Sequence, residues 1–102
     1  MRFLLFTIYD TKTEATAGHV MQYRHLAEAL RAFHQIASDP QTLVNRHVRD
    51  FALYKIGELD DTTMTIEPQK PLAIITGQEY LDSLPPADAG DQLDMIREAR
   101  RA

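Results

Sequence analysis

The sequence has 102 residues, the size of one ordinary domain, and a formal net charge of −4 that by itself argues against a nucleic-acid binder. It contains no cysteine, which excludes disulfides, thiolate metal sites and a cysteine nucleophile. No segment approaches the roughly 20 apolar residues of a membrane-spanning helix, and no signal segment is recognisable. We therefore expect an intracellular protein with no membrane partner.

Charge is distributed unevenly along the chain. Residues 22–57 carry five Arg or Lys against three Asp or Glu, together with three His. Residues 58–102 carry ten acidic residues against four basic ones. This asymmetry indicates either an interaction face followed by an acidic tail, or a solvated surface whose charge is merely uneven.

The first predicted element is a strand over residues 3–9 that is apolar on both faces. The two alternating sets are Phe3, Leu5 and Tyr9, and Leu4, Phe6 and Ile8. Such a strand is normally covered on both sides. One helix cannot cover both faces, so either the tail folds back or a second copy supplies the cover. We expect a homodimer or a higher oligomer.

A polar loop is predicted over residues 10–18, and residues 19–23 are ambiguous between loop and extended chain. The helix that follows, Arg24–Ala37, has apolar residues at three- and four-residue spacing and ends before Pro40. We expect four of its side chains to pack on a sheet: Leu26, Leu30, Phe33 and Ile36. Residues 41–50 are expected to form one short helical turn.

A β-hairpin is predicted next, with strands Phe51–Glu58 and Thr63–Glu67 and a loop of about four residues at Asp60-Asp61. An edge strand, Leu72–Thr76, follows two prolines. The predicted fold class is α+β: a small, mainly antiparallel sheet of three or four strands with one main helix packed on a face.

Two regions are expected along the chain. Residues 1–76 form the compact α+β domain, and residues 77–102 form an acidic C-terminal extension that is partly helical or mobile. Within the extension, residues 77–84 are predicted as a short helix. Gln92–Arg101 is predicted as a terminal helix with few apolar positions.

Catalytic and metal sites are weakly supported. His25 and His34 lie nine residues apart on the predicted helix and so face different directions, and no other ligand joins them. Asp60-Asp61 is more typical of a turn than of a cation site. The four glycines are scattered, which excludes a phosphate-binding loop. We expect no enzyme, no metal site and no cofactor.

A basic group before and within the hairpin is the best candidate site. It comprises Arg46, His47, Arg49 and Lys55, beside Phe51 and Tyr54, with Arg24 and Arg31 added if they share the face. Positive charge beside aromatic rings suits single-stranded nucleic acid, and Tyr54 is the best stacking candidate.

If the chain is extended before the hairpin, Arg46, Arg49 and Lys55 are expected to form one row of charges, with Tyr54 pointing away from it. The alternative is that Phe51 and Tyr54 belong to the core. In that case the arginines pair with Asp50 and Glu58.

Three short motifs carry a family resemblance over about residues 3–76. They are Phe6-Thr7-Ile8-Tyr9-Asp10-Thr11-Lys12, then Ala29–Phe33 with Ser38-Asp39-Pro40, then Arg46-His47 with Asp50–Gly57 and Asp60-Asp61-Thr62. In order and spacing they resemble the small nonstructural protein of gokushovirus-type microviruses, which are phages with single-stranded DNA genomes. This chain has Val48 where the family usually has Pro, and Met64 where it tends to have Gly.

The resemblance implies a non-enzymatic nonstructural phage protein in the cytoplasm of the infected host bacterium. Such a protein binds single-stranded DNA and assists viral genome replication and packaging, with viral replication or packaging proteins as partners. The alternative is an interaction module that docks on the replication initiator or the procapsid without touching DNA.

Overall fold

The computed structural model describes residues 1–85, which form a four-stranded antiparallel sheet and three helices. The strands are β1 (Arg2–Asp10), β2 (Ala15–Tyr23), β3 (Phe51–Asp60) and β4 (Thr65–Thr76), in the sheet order β2-β1-β3-β4. The helices are α1 (Leu26–Ser38), α2 (Leu43–Arg46) and α3 (Gly77–Ser83), with a 3₁₀ turn at Val48–Asp50. The predicted α+β fold is confirmed. None of the helices within residues 1–85 is long and apolar enough to cross a membrane.

The core lies between the sheet and α1. Phe33 of α1 and Leu53 of β3 are fully buried, and Phe6 of β1 joins them in one apolar cluster. The prediction that Leu26 belongs to this cluster is wrong, because Leu26 is 43% exposed. α1 begins at Leu26 rather than Arg24. Leu26 is therefore the first residue of the first helical turn, and its side chain remains exposed to solvent.

The prediction of a loop over residues 10–18 is wrong. Only residues 11–14 connect the first two strands, and β2 begins at Ala15. β2 is an edge strand of the sheet. In its second half only alternate residues, Met21 and Tyr23, point toward the helices and pack against the core. Apart from Val20, the remaining residues of β2 are small or polar, which is why residues 10–18 read as loop and residues 19–23 are ambiguous.

The two strands predicted at Thr63–Glu67 and Leu72–Thr76 form one continuous strand, β4. Pro68 and Pro71 do not break it, because β4 lies at an edge of the sheet and pairs only with β3. A proline nitrogen that faces away from the sheet removes no interstrand hydrogen bond.

Both hairpins close with the same four-residue turn. Asp10 Oδ1 accepts a hydrogen bond from the Lys12 N–H at 2.9 Å, and Asp60 Oδ1 accepts one from the Thr62 N–H at 2.9 Å. The last loop residues, Glu14 and Met64, both have φ of 57°, in the left-handed region that favours glycine. The expected four-residue hairpin loop is confirmed, and the turn explains why glycine suits the position of Met64.

The packed part of the chain continues beyond residue 76, the expected end of the compact domain. Tyr80 of α3 is 5% exposed and meets the Phe33 ring edge-on, with the ring centroids 6.1 Å apart. Residues 86–102, which include the predicted helix Gln92–Arg101, lie outside the described residues.

The two faces of the sheet differ in composition. Residues paired across neighbouring strands point to the same face, and successive residues alternate. We call the face under α1 the covered face and the other the open face. The strand pairing assigns these residues to the open face: Phe3, Leu5, Thr7, Tyr9, Thr16, Gln22, Ala52, Tyr54, Gly57, Leu59, Ile66, Pro68, Ala73 and Thr76. None of them carries a charge. The covered face includes six charged residues: Arg2, Asp10, Lys55, Glu58, Asp60 and Glu67.

Candidate nucleic-acid interface

The segment between α1 and β3 folds into a corner that side chains hold in place. The Thr42 hydroxyl caps α2 by accepting a hydrogen bond from the Asn45 N–H at 3.1 Å, and it lies 2.7 Å from the Ile36 carbonyl, to which it donates. The Asn45 amide donates to the Ala37 carbonyl at 2.7 Å. Val44 is buried in the core cluster. These contacts tie α2 to the end of α1.

α3 fixes the other side of the corner through a close backbone approach. A Cβ atom at Gly77 would lie 1.6 Å from the Val48 carbonyl oxygen, so only glycine fits there. Beside it, Arg49 Nε donates to Gln78 Oε1 at 3.1 Å. The 3₁₀ turn is therefore held between β3 and the first turn of α3.

Three side chains emerge together from this corner: Arg46, His47 and Arg49, which we call the basic corner. All three are exposed, and the side chains line one shallow polar depression. Within residues 1–85, neither Arg46 nor Arg49 forms an ion pair. The expectation that the arginines pair with Asp50 and Glu58 is therefore not met in this part of the chain.

One carboxylate near the basic corner is already engaged elsewhere. Desolvation alone would raise the pKa of Asp10, but hydrogen bonds from the backbone N–H groups of Lys12 and Thr13, with the charge of nearby His47, hold it below its usual value. Asp10 is therefore ionised at neutral pH and its acceptor capacity serves the β1–β2 turn.

Lys12 is a basic residue near this corner that the site prediction missed. It lies in the β1–β2 loop, and it lines a groove shared with Asp10, His47 and Asp50. The Thr11 N–H donates to the Asp50 carbonyl at 2.8 Å, which anchors the loop beside the corner. The only sequence signal was the polar, threonine-rich character of the loop.

The predicted row of Arg46, Arg49 and Lys55 is wrong. Arg46 ends α2 and Arg49 lies in the 3₁₀ turn, so neither is in extended chain. Their spacing of three residues would also have put them on opposite sides of a strand. Lys55 lies on the covered face of β3, where its Nζ is 3.9 Å from a Glu58 carboxylate oxygen and only 20% of its side chain is exposed.

Tyr54 is separated from the basic corner. It lies on the open face of β3, where its ring meets Tyr9 edge-on at 5.9 Å between centroids. Tyr54 and Lys55 point to opposite faces, although the row from which Tyr54 was expected to point away does not form. Phe51 is 2% exposed and belongs to the core, as the alternative interpretation held for this residue.

Arg24 and Arg31 do not join the basic corner either. The Arg24 guanidinium lies over Phe3, 5.8 Å from the ring centroid, near the start of β1. The corner lies beside the other end of β1, at Asp10, roughly 23 Å away along the strand. Arg31 is exposed on the solvent side of α1. The structure therefore brings together Arg46, His47 and Arg49, near Lys12, and leaves the remaining candidates apart.

Comparison with known proteins identifies the family of this chain. No curated protein and no solved structure matches it. The family model for the phage ORF5 protein matches residues 3–80, which span both hairpins, α1, the basic corner and the first half of α3. The chain therefore belongs to the phage ORF5 protein family.

Proposed function

We propose that this phage protein binds single-stranded DNA at the basic corner without catalysing a reaction. Arg46 and Arg49 contact phosphates, and His47 and Lys12 add donors at the rim of the same surface. It acts in the cytoplasm of the infected bacterium, where it associates with the viral genome and assists replication and packaging. Its protein partners are the viral replication or packaging proteins.

The observation that carries the proposal is a pair of exposed arginines on a rigid corner, neither engaged in an ion pair within residues 1–85. A guanidinium presents donors in a planar fork that matches phosphate oxygens. Because no ion pair in this part of the chain must break first, contact with phosphate gains more than it would at a paired arginine.

The net charge of −4 sets a limit on the affinity of one copy. A few phosphate contacts on an acidic protein give weak binding that falls steeply with salt, because affinity depends on the release of counterions from the DNA. Two linked copies would engage one strand at two places and raise the overall affinity.

The test compares two double variants that remove the same charge. Arg46→Ala with Arg49→Ala is expected to weaken binding to a labelled single-stranded oligonucleotide, measured by fluorescence anisotropy over a range of salt concentrations. The slope of log affinity against log salt should fall by about 1–1.5, since two phosphate contacts are lost. Arg24→Ala with Arg31→Ala is the matched control and should leave the slope nearly unchanged.

Three results would contradict the proposal. The wild-type protein fails to bind at low salt, the corner variant folds and binds normally, or both double variants lose affinity equally. The last result would mean that overall charge, rather than the corner, governs binding.

A second candidate function is that of a docking module for the replication initiator or the procapsid. The open face favours it, because an apolar, uncharged sheet face suits contact with protein rather than with a phosphate backbone. The oligonucleotide titration separates the two candidates: a docking module does not bind at low salt.

A further inference from the structure

We propose that two copies of this chain pack with their open faces together, forming a two-layered dimer. The proposal does not depend on DNA binding. It rests on the composition of the open face, on its size and on the small number of apolar residues after α3.

Composition is the first step. The open face carries no charged residue at any position that the strand pairing assigns to it, although a quarter of the chain is charged. Leu59 and Ile66 lie on this face at the far end of the sheet, beyond the reach of the core cluster, and Ile66 is 62% exposed. On the covered face at that same end, Glu58 and Glu67 meet water. At this end of the sheet, only the open face consists of uncharged residues.

The absence of charge also selects the partner. Apart from the Arg24 guanidinium over Phe3, a strongly charged protein or a nucleic acid finds no opposite charge among the residues assigned to this face, whereas an identical face matches them without loss. Two copies related by a two-fold axis present the same patch to each other. The rings of Tyr9 and Tyr54, beside Thr7 and Ile56, supply the large apolar area that sheet-on-sheet packing needs.

The size of the face suits a stable dimer. Four strands about 4.8 Å apart and about 25–30 Å long give a projected area of roughly 500 Å² in each copy. Neighbouring side chains already bury Leu5, Thr7 and Ala52 of this face in one copy, so the residues around them supply most of that area. Two such faces together approach the roughly 1,200–2,000 Å² that stable interfaces bury.

The rest of the chain is a poor substitute for a second copy. The described chain ends just after α3, whose Tyr80 lies in the core under the covered face. Residues 86–102 contain three large apolar side chains, Leu93, Met95 and Ile96. Three such residues offer less apolar surface than a face that spans four strands presents.

Two neighbouring residues of β4 provide the test. Ala73 pairs with Tyr54 on the open face and Leu72 pairs with Lys55 on the covered face, and both are exposed in one copy. Light scattering of the purified full chain should give twice the chain mass of 11.6 kDa for the wild type. Ala73→Glu should weaken the dimer by about 100-fold or more, because a carboxylate becomes buried without a partner. Leu72→Glu should leave it intact.

Ile66→Glu provides a second open-face variant, at a position so exposed that folding of one copy is not disturbed. Ile66→Glu replaces Ala73→Glu in the light-scattering measurement if circular dichroism shows that Ala73→Glu does not fold. A monomeric wild type at about 100 µM would overturn the proposal and assign the face to another partner. Open-face variants that remain dimeric, or a Leu72→Glu variant that dissociates equally, would also overturn it.

Discussion

The same four strands form both faces of the sheet, yet the two faces differ in their charged residues. At the end of the sheet beyond the helices, the covered face becomes charged, with Arg2 2.8 Å from Glu67. No residue that the strand pairing assigns to the open face is charged, including Phe3 and Ile66 at that same end, although the Arg24 guanidinium, beyond the end of β2, lies over Phe3. The comparison indicates that the sheet carries charged residues where its covered face extends beyond the helices and contacts water. The open face has no such residues at the same end, as expected for a surface that packs against protein.

The largest expected difference comes from removing one aromatic ring from each face. Phe33 is fully buried under the covered face, so Phe33→Ala should lower the free energy of unfolding by about 3–5 kcal/mol. Tyr54 on the open face is only half-buried in one copy, so Tyr54→Ala should lower the free energy of unfolding by about 2 kcal/mol, through lost apolar burial and the lost edge-on contact with Tyr9. Urea unfolding of both variants at low protein concentration measures the difference. Equal losses would contradict the distinction between the faces.

The covered face was the easier one to predict from sequence. The apolar spacing of α1 and the aromatic and β-branched residues of Phe51–Glu58 are strong local signals, and both gave elements close to those observed. The first half of β2 was predicted as loop and residues 19–23 were left ambiguous, because only one part of this edge strand faces the core. Its Gly18 has a φ of 89°, which also breaks the simple alternation.

The basic corner was predicted in content but not in geometry. A sequence shows that Arg46 and Arg49 are close, but whether the chain between them is extended or helical depends on tertiary contacts such as that of Gly77 with Val48. Lys12 reaches the same surface from a distant loop through the Thr11–Asp50 hydrogen bonds. A local sequence pattern cannot predict that two segments so far apart in the chain lie side by side.

The smallest expected change in stability comes from the hairpin turns, which belong to neither face and so provide a reference for the substitutions on both. Met64 lies at the tip of the β3–β4 hairpin with a φ of 57° and is 85% exposed. Met64→Gly should raise the free energy of unfolding by about 0.5–1 kcal/mol, since it relieves the left-handed conformation and loses no packing. Glu14→Gly, at the equivalent place in the other hairpin, should act similarly. A loss of stability in both variants would show that the turns are not strained.

One measurement tests most directly the claim that DNA and protein contacts use different surfaces. Single-stranded DNA is titrated into the ¹⁵N-labelled full chain at low salt, and the backbone amide signals are followed by NMR. The account predicts that the signals of Arg46, His47 and Arg49, together with Lys12, shift in a saturable way. Those of Thr7, Tyr9, Tyr54 and Ile56 should stay in place. Shifts concentrated on the open-face residues, with the basic corner unchanged, would contradict it.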